Sequence, residues 1–429
     1  MREAENAVFL KCAWRLIPFM GLLYVANFLD RVNVGFAALA MNRDIGLSAH
    51  AYGLGAGSFF IGYFFFEVPS NVIMERVGAR LWMFRIMLSW GLISMATVFA
   101  RGSYSFAALR FLLGLCEAGF FPGMILYLTY WFPAGTRGQF NALFLAAIVV
   151  ANIVGGPLSG YILSAGFGGL RGWQWLFVLE GLPSCALAVA VLFYLPDGPA
   201  NANWLAPREK EIIASALARD AVPHGSLRDC LTDARVWVLA LADLGIVTAL
   251  YGIGLWLPQI VKSLGFTDFE TGFVVAGPYT ATMLAMVLWA RKSDKSGERI
   301  GHIIAPAFLA AVALIATSIL GASLWSVFTL SLACIGIYAA LVVFWTLPQS
   351  FLGGTAAAAA IALINSLANL GGFFGPSLVG YLKDATGTYS LAMACLGAGL
   401  IGTCAVILAI ARFLPVIPPA VQTTIVRDS

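Results

Sequence analysis

The chain has 429 residues, of which 60% are hydrophobic and only 11% charged, with a formal net charge of +4. Soluble domains carry about 25% charged residues, so the composition excludes a soluble globular enzyme and indicates a polytopic membrane protein. The positive charges are scattered, with no basic run of the kind that suits nucleic acid.

The polar start, through Lys11 and Arg15, runs into an apolar segment too long for a signal-peptide core, so it reads as a permanent first span. Stretches of the roughly 20 apolar residues that a bilayer helix requires follow one another along the chain. In the first half they lie at about 14–40, 52–74, 81–100, 104–128, 140–164 and 174–195. A polar interval at 196–232 holds Pro196, Pro199, Pro207, Pro223 and the charged run Arg208-Glu209-Lys210-Glu211. Six further stretches come at about 234–260, 271–290, 301–320, 323–347, 357–380 and 389–414.

The expected architecture is all-α: twelve transmembrane helices in two six-helix bundles around a central cavity, 1–197 and 233–429, joined by a cytoplasmic linker at 198–232. With both termini placed inside, 18 of the 25 lysines and arginines fall on internal segments and five on external loops. That asymmetry fixes the expected orientation. The seven cysteines show no C-x-x-C spacing and read as reduced packing residues. His50, His224 and His302 lie in or beside loops, so neither a metal nor another cofactor is expected.

The two halves repeat. Glu75-Arg76-Val77-Gly78-Ala79-Arg80, between spans two and three, matches Asp294-Lys295-Ser296-Gly297-Glu298-Arg299, between spans eight and nine, at an offset of 219 residues. Pro157 of span five and Pro376 of span eleven are also 219 apart. Two loci at one offset indicate duplicated halves. In the loop motif glycine permits a tight turn, while Glu75, Arg76, Arg80, Asp294 and Arg299 can pair with neighbouring helix ends. Such pairs would hold one face of the bundle shut, a gate; the plainer alternative is positive-inside anchoring.

Four ionisable residues stand where hydrocarbon is expected: Asp30 and Arg31 in span one, Arg110 and Glu117 in span four. Each costs about 2.5–3.5 kcal/mol at a bilayer centre, so they must neutralise one another or do work. Arg110 and Glu117 are two turns apart on one face, with Gly114 between them leaving room for close approach. Asp30 and Arg31 diverge by about 100°, so one can face the cavity and the other span four. The expected arrangement points Arg31 to the cavity to bind a carboxylate, seats Asp30 against Arg110, and leaves Glu117 on the proton route. A static ion network joining spans one and four is the alternative.

At the same offset the second half carries Ala249, Leu250, Thr329 and Gly336 instead of charges. It offers Tyr251, Trp256, Gln259, Tyr338, Trp345, Gln349, Asn365 and Asn369 to recognise the remainder of a substrate, with Trp345 and Asn365 foremost. Tyr24, two turns before Arg31, is expected to line the cavity. Glu67 before Pro69 reads as a structural group in a kinked helix, Glu180 as a packing or gate contact, and Asp243 as a second candidate proton site.

The loop motif, the twelve spans and the central linker resemble the major facilitator superfamily. Finer motifs resemble its anion:cation symporter branch. They are Leu29-Asp30-Arg31-Val32-Asn33, Phe66-Glu67-Val68-Pro69-Ser70-Asn71, the Arg110–Gly123 stretch with Glu117-Ala118-Gly119, Trp131-Phe132-Pro133, and Asn365-Ser366-Leu367-Ala368-Asn369-Leu370-Gly371-Gly372. That branch includes permeases for tartrate, galactonate, phthalate and hydroxyphenylacetate, and animal carriers of glutamate or sialic acid. The resemblance implies that Arg31 contacts a substrate carboxylate, that Asp30 and Glu117 carry protons, and that Arg110 lies between the charged helices. Glu75 stands where the superfamily usually has aspartate, which keeps the charge.

The expected function is therefore proton-coupled uptake of a small organic carboxylate by alternating access. The carboxylate would be an aromatic acid, a hydroxy-dicarboxylate or a sugar acid. The alternative is an exchanger or uniporter without proton coupling. The expected partners are that anion, protons and the lipid bilayer, for a monomer in a bacterial inner membrane with both termini cytoplasmic. No nucleophile–base pair, metal cluster or phosphate loop accompanies the buried carboxylates, so an enzyme is not expected.

Overall fold

The structure is a computed structural model that describes residues 2–166, 168–219, 232–348 and 354–412. Gln349, His224, Cys230, the linker segment 220–231 and the C-terminal tail lie outside the described residues, as do the side chains of 134–146. The described residues form helices and no strand.

In chain order the first half holds α1 (Arg2–Asp44), α2 (Ala49–Val77), α3 (Ala79–Ala96), α4 (Ser103–Glu117), α5 (Phe120–Thr129), α6 (Ala134–Ser164) and α7 (Gly172–Tyr194). After α8 (Pro207–Arg219), the second half holds α9 (Ala234–Gly254), α10 (Leu257–Lys262), α11 (Asp268–Ser296), α12 (Ile300–Leu320), α13 (Leu324–Phe344), α14 (Gly354–Asn369), α15 (Gly371–Thr386) and α16 (Ser390–Ala411). Among the described residues 11 helices are long and apolar enough to cross a membrane. The remaining expected span is α6, a helix of 31 residues.

Local chemistry sets the ends. Ser48 accepts the Ala51 N–H at 3.1 Å to cap α2. Thr267 and Glu270 form a reciprocal capping box on α11, which ends at Gly297 in the left-handed region. Three expected spans are broken. Span four parts into α4 and α5 at Gly119, whose φ is +89° and whose missing Cβ leaves room for Ser70. Span seven parts into α9 and α10 ahead of Pro258, and span eleven into α14 and α15 at Leu370.

The linker differs from the polar interval expected, because part of it folds. In α8 Ile213 and Ala216 are buried while the charges face out, an amphipathic pattern that packs on an extended α1. Lys11 pairs with Glu209 at 2.8 Å and Arg219 with Glu5 at 2.5 Å. The Lys11 ammonium holds the Glu209 carboxyl below the usual carboxylate range. This clamp is therefore present at neutral pH and is lost as pH falls through that lowered value. Trp204 stacks on Trp131 at 5.6 Å.

The halves close on each other at the face opposite the termini. Gly156 of α6 and Gly272 of α11 meet so tightly that a Cβ on Gly156 would lie 2.5 Å from the Gly272 carbonyl oxygen. Asp384 accepts the N–H groups of Ala49 and His50 at 3.0 and 2.7 Å, and Asn42 donates to Gln259 at 3.3 Å. Small residues allow such approach between membrane helices. Gly272→Val should cost this closed state about 1–3 kcal/mol through overpacking. A cysteine placed at Asn42 should then label faster from that face; an unchanged rate would show that the glycine contact does not hold the seal.

Candidate functional site

Arg31 and Glu117 form the centre. The Arg31 Nε donates to Glu117 Oε1 at 2.9 Å and Nη2 donates to the same oxygen. Its Nη1 reaches the Tyr251 hydroxyl of α9 at 3.3 Å, so the site spans both halves. Phe59 and Tyr63 of α2 lie beside the guanidinium, each ring centroid 5.3 Å away. Arg31 is 7% exposed and Glu117 fully buried, and Glu117 Oε2 has no hydrogen-bond partner among the described residues. The expectation that Arg31 offers a free guanidinium to a cavity is thus modified, since an internal carboxylate occupies it.

The local fold explains how α4 comes so near. Gly114, one turn before the break at Gly119, packs on Phe59 of α2 where any Cβ would strike the Phe59 carbonyl oxygen. Room for close approach was expected at Gly114, and the helix that takes it is α2.

Asp30 does not sit against Arg110, contrary to expectation. Its carboxylate takes three neutral donors, Ser184 at 2.6 Å, Ser94 at 2.8 Å and Trp90 Nε1 at 3.1 Å. These donors come from α7 and α3, inside the first half. Adjacent residues on a helix diverge by about 100°; Arg31 faces α4, which turns Asp30 into the bundle. Arg110 donates to the Arg31 carbonyl oxygen at 3.4 Å and lies 5.1 Å from the Phe59 ring centroid. Its Nε and Nη1 have no partner among the described residues. It therefore supplies positive charge next to the Arg31–Glu117 pair without fixing either carboxylate.

The second half is brought in unevenly. Tyr251 reaches Arg31, and Phe60 packs on it at 4.4 Å. Asn365 donates to Glu67 Oε1 at 2.9 Å, linking α14 to α2 between the halves; Glu67 is thus more than a brace for a kinked helix. Tyr338 meets Tyr279 edge-on at 6.3 Å. Trp345 caps the far end of α13 beside Phe344, and Asn369 ends α14; neither hydrogen-bonds to Arg31 among the described residues. Tyr24 is buried and stacks with Phe121 at 5.6 Å. Asp243 is fully buried, and neither carboxylate oxygen has a partner among the described residues.

The two repeated loops differ in detail. Asp294 pairs with Arg299 at 2.7 Å, and Arg299 also donates to Ser293 at 3.0 Å. In the first half Glu75, Arg76 and Arg80 are exposed, with no ion pair among the described residues. There Asp197, beyond α7, accepts the Arg80 backbone N–H at 2.9 Å. Gly78, at φ +97°, has no Cβ to block that approach. Asp197 was missed because nothing in the sequence ties it to a loop 117 residues away. Trp90, Ser94 and Ser184 were missed for a similar reason, as neutral residues on apolar helices resemble packing.

Residues 20–376 match the family model of the Major Facilitator Superfamily. The chain is 46% identical over 422 residues to a putative tartrate transporter of Agrobacterium vitis, covering 96% of each. It is 41% identical over 392 residues to a quinolone resistance transporter of Acinetobacter baumannii, covering 90% of each. Among solved structures it is similar to a bacterial homologue of the human lysosomal transporter Spinster. That match has a TM-score of 0.74 at 17% identity and covers 92% of this chain and 96% of the other, a likeness of fold alone.

Proposed function

The chain belongs to the major facilitator superfamily, and on that premise we propose that it carries a small organic carboxylate across the membrane together with protons. As a member of that family it is a membrane transporter and not an enzyme. One observation carries the proposal: Arg31, almost wholly buried between the halves, is already engaged by the Glu117 carboxylate.

A substrate carboxylate can take Arg31 only if Glu117 lets go. A buried charge stripped of its partner costs about 3–5 kcal/mol, so a released Glu117 is stabilised by taking a proton. Likewise, an Arg31 freed by protonation is stabilised by taking an anion. Each event makes the other favourable, which is the thermodynamic content of coupling. Charge balance points the same way. Asp30, Arg31, Arg110 and Glu117 sum to zero, and one bound carboxylate plus one proton leaves that sum unchanged.

The two halves, 1–197 and 233–429 joined by 198–232, rock about this site, with the termini in the cytoplasm of a bacterial cell. The Glu75–Arg80 and Asp294–Arg299 loops gate the terminus-bearing face. Asp197→Ala should therefore speed labelling of a cysteine on that face, and unchanged labelling would remove the gate. Asp30 and Glu117 are the proton-carrying acids. Arg31, Tyr24, Tyr338, Asn365, Asn369 and Trp345 are the substrate-facing set, those beyond Arg31 engaging as the cleft rearranges. The name of the Agrobacterium relative supports a hydroxy-dicarboxylate such as tartrate, and the rings around Arg31 suit an aromatic acid as well.

The test is uptake into proteoliposomes under an imposed inward proton gradient, offering tartrate, galactonate, phthalate, hydroxyphenylacetate and glutamate in turn. Accumulation of one of these acids, abolished by a protonophore, supports the proposal. Equilibration without accumulation would leave an exchanger or uniporter.

A further inference from the structure

Glu180 has no part in the site just described, yet its surroundings single it out. It is 3% exposed on α7, one turn before Ser184, which donates to Asp30 at 2.6 Å. Ser159 of α6 donates to Glu180 Oε1 at 2.8 Å, while Oε2 has no partner among the described residues. On α1, Asn27 and Asn33 stand three residues either side of Asp30. Both are fully buried, and neither amide atom of Asn27, nor the amide oxygen of Asn33, has a hydrogen-bond partner among the described residues. Asn33 lies beside Glu180, and Asp30 is close enough for the two carboxylates to interact.

Three amide atoms and a carboxylate oxygen therefore stand unpaired within two turns of α1 and the facing turn of α7. Buried polar groups are almost always hydrogen-bonded, and buried water takes two to four polar partners, so this seam is suited to hold water. It also has a direction. Asp44, at the end of α1 on the face opposite the termini, accepts Trp173 Nε1 at 2.9 Å and pairs with Arg171 at 3.3 Å. Glu180 is two turns of α7 beyond Trp173, about 10 Å inward, and Asp30 with Ser184 lies one turn further.

The charged groups facing the seam are Asp44 and Asp30 of α1 with Arg171 at its rim. The helices α3 and α6 contribute Trp90, Ser94 and Ser159, all neutral. Two interior carboxylates on one seam without a base are costly as mere packing, since apolar side chains would fill the space at less cost.

We propose that Glu180 is a proton relay between the face opposite the termini and Asp30, running inside the first six-helix bundle while the cleft between the halves is shut. A proton arriving through water bonds to the unpartnered Glu180 Oε2. That O–H then breaks as a water beside Asn33 takes the proton, and the water passes one on to Asp30. Glu180 returns to a carboxylate and Asp30 becomes a carboxyl, ready for exchange with the Arg31–Glu117 pair. No other reactant is needed. The relay rests on the proton-coupled reading above.

Glu180→Gln keeps an acceptor for Ser159 and removes the proton. In proteoliposomes with tartrate, the initial rate of proton-driven uptake should fall about a hundredfold, the low end of what losing a positioned proton-transfer group costs. Tartrate–tartrate counterflow, which moves no net proton, should stay at the wild-type rate, and Glu180→Asp should restore part of the driven uptake. Driven uptake equal to wild type would overturn the relay. So would an equal loss of counterflow, which would make Glu180 a packing residue. Failure of the wild-type protein itself to accumulate tartrate or any other acid of the panel under the gradient would overturn the coupled reading, and the relay with it.

Discussion

Arg31→Ala is expected to abolish transport. The substitution removes the guanidinium that holds Glu117, reaches Tyr251 across the halves and would hold the substrate. It also strands the Glu117 carboxylate in a fully buried position. Truncating one partner of a buried charge pair costs about 3–5 kcal/mol of stability, and the anion separately loses the guanidinium that would hold it. Both driven uptake and counterflow should fall to the level of empty liposomes. Arg31→Lys should recover little, because an ammonium is a point charge that cannot present the planar fork which engages one carboxylate and a hydroxyl at once. Binding measured by isothermal calorimetry separates the cases: wild-type affinity in Arg31→Ala would mean that the anion is held elsewhere.

Glu117→Gln separates coupling from transport. The amide keeps the size of the side chain and an oxygen for Arg31, but it cannot take up a proton or compete as an anion. Arg31 is then held only by a neutral amide, which a substrate carboxylate displaces more readily than a carboxylate. Counterflow should persist and anion affinity should rise, by tenfold for each 1.4 kcal/mol of competition removed. Accumulation driven by a proton gradient should disappear. Retained proton-driven accumulation would move the coupling step away from Glu117.

Much of the fold was legible because membrane helices leave a strong signal. The apolar stretches fell where helices form, and Gly114 signalled room for close approach, though the helix that comes near it is α2 rather than span one. The breaks at Gly119, ahead of Pro258 and at Leu370 were not legible, since an interrupted span remains apolar throughout and only the φ of a glycine or a local turn divides it. In α8 a charged run masked a helix whose buried face is only Ile213 and Ala216.

At the site, residue type was readable and partnership was not. The four buried charges stood out against hydrocarbon. Which acid met which base depended on the rotation of α1, and one step of about 100° exchanges the roles of Asp30 and Arg31. Neutral donors such as Trp90, Ser94 and Ser184 carried no signal of their own, because serine and tryptophan are ordinary residues in a membrane helix. Asp243 was visible as an isolated acid, and it is isolated in the structure too.

The most direct test of the coupled mechanism is substrate-driven proton movement. Proteoliposomes loaded with a pH-sensitive dye and held at equal pH inside and out receive tartrate, or whichever acid the uptake panel identifies, on the outside. If anion entry requires protonation of Glu117, the lumen acidifies as the anion enters, and Glu117→Gln vesicles admit the anion with no change in pH. Entry into wild-type vesicles without acidification would contradict the mechanism and leave the Arg31–Glu117 pair as a structural bridge.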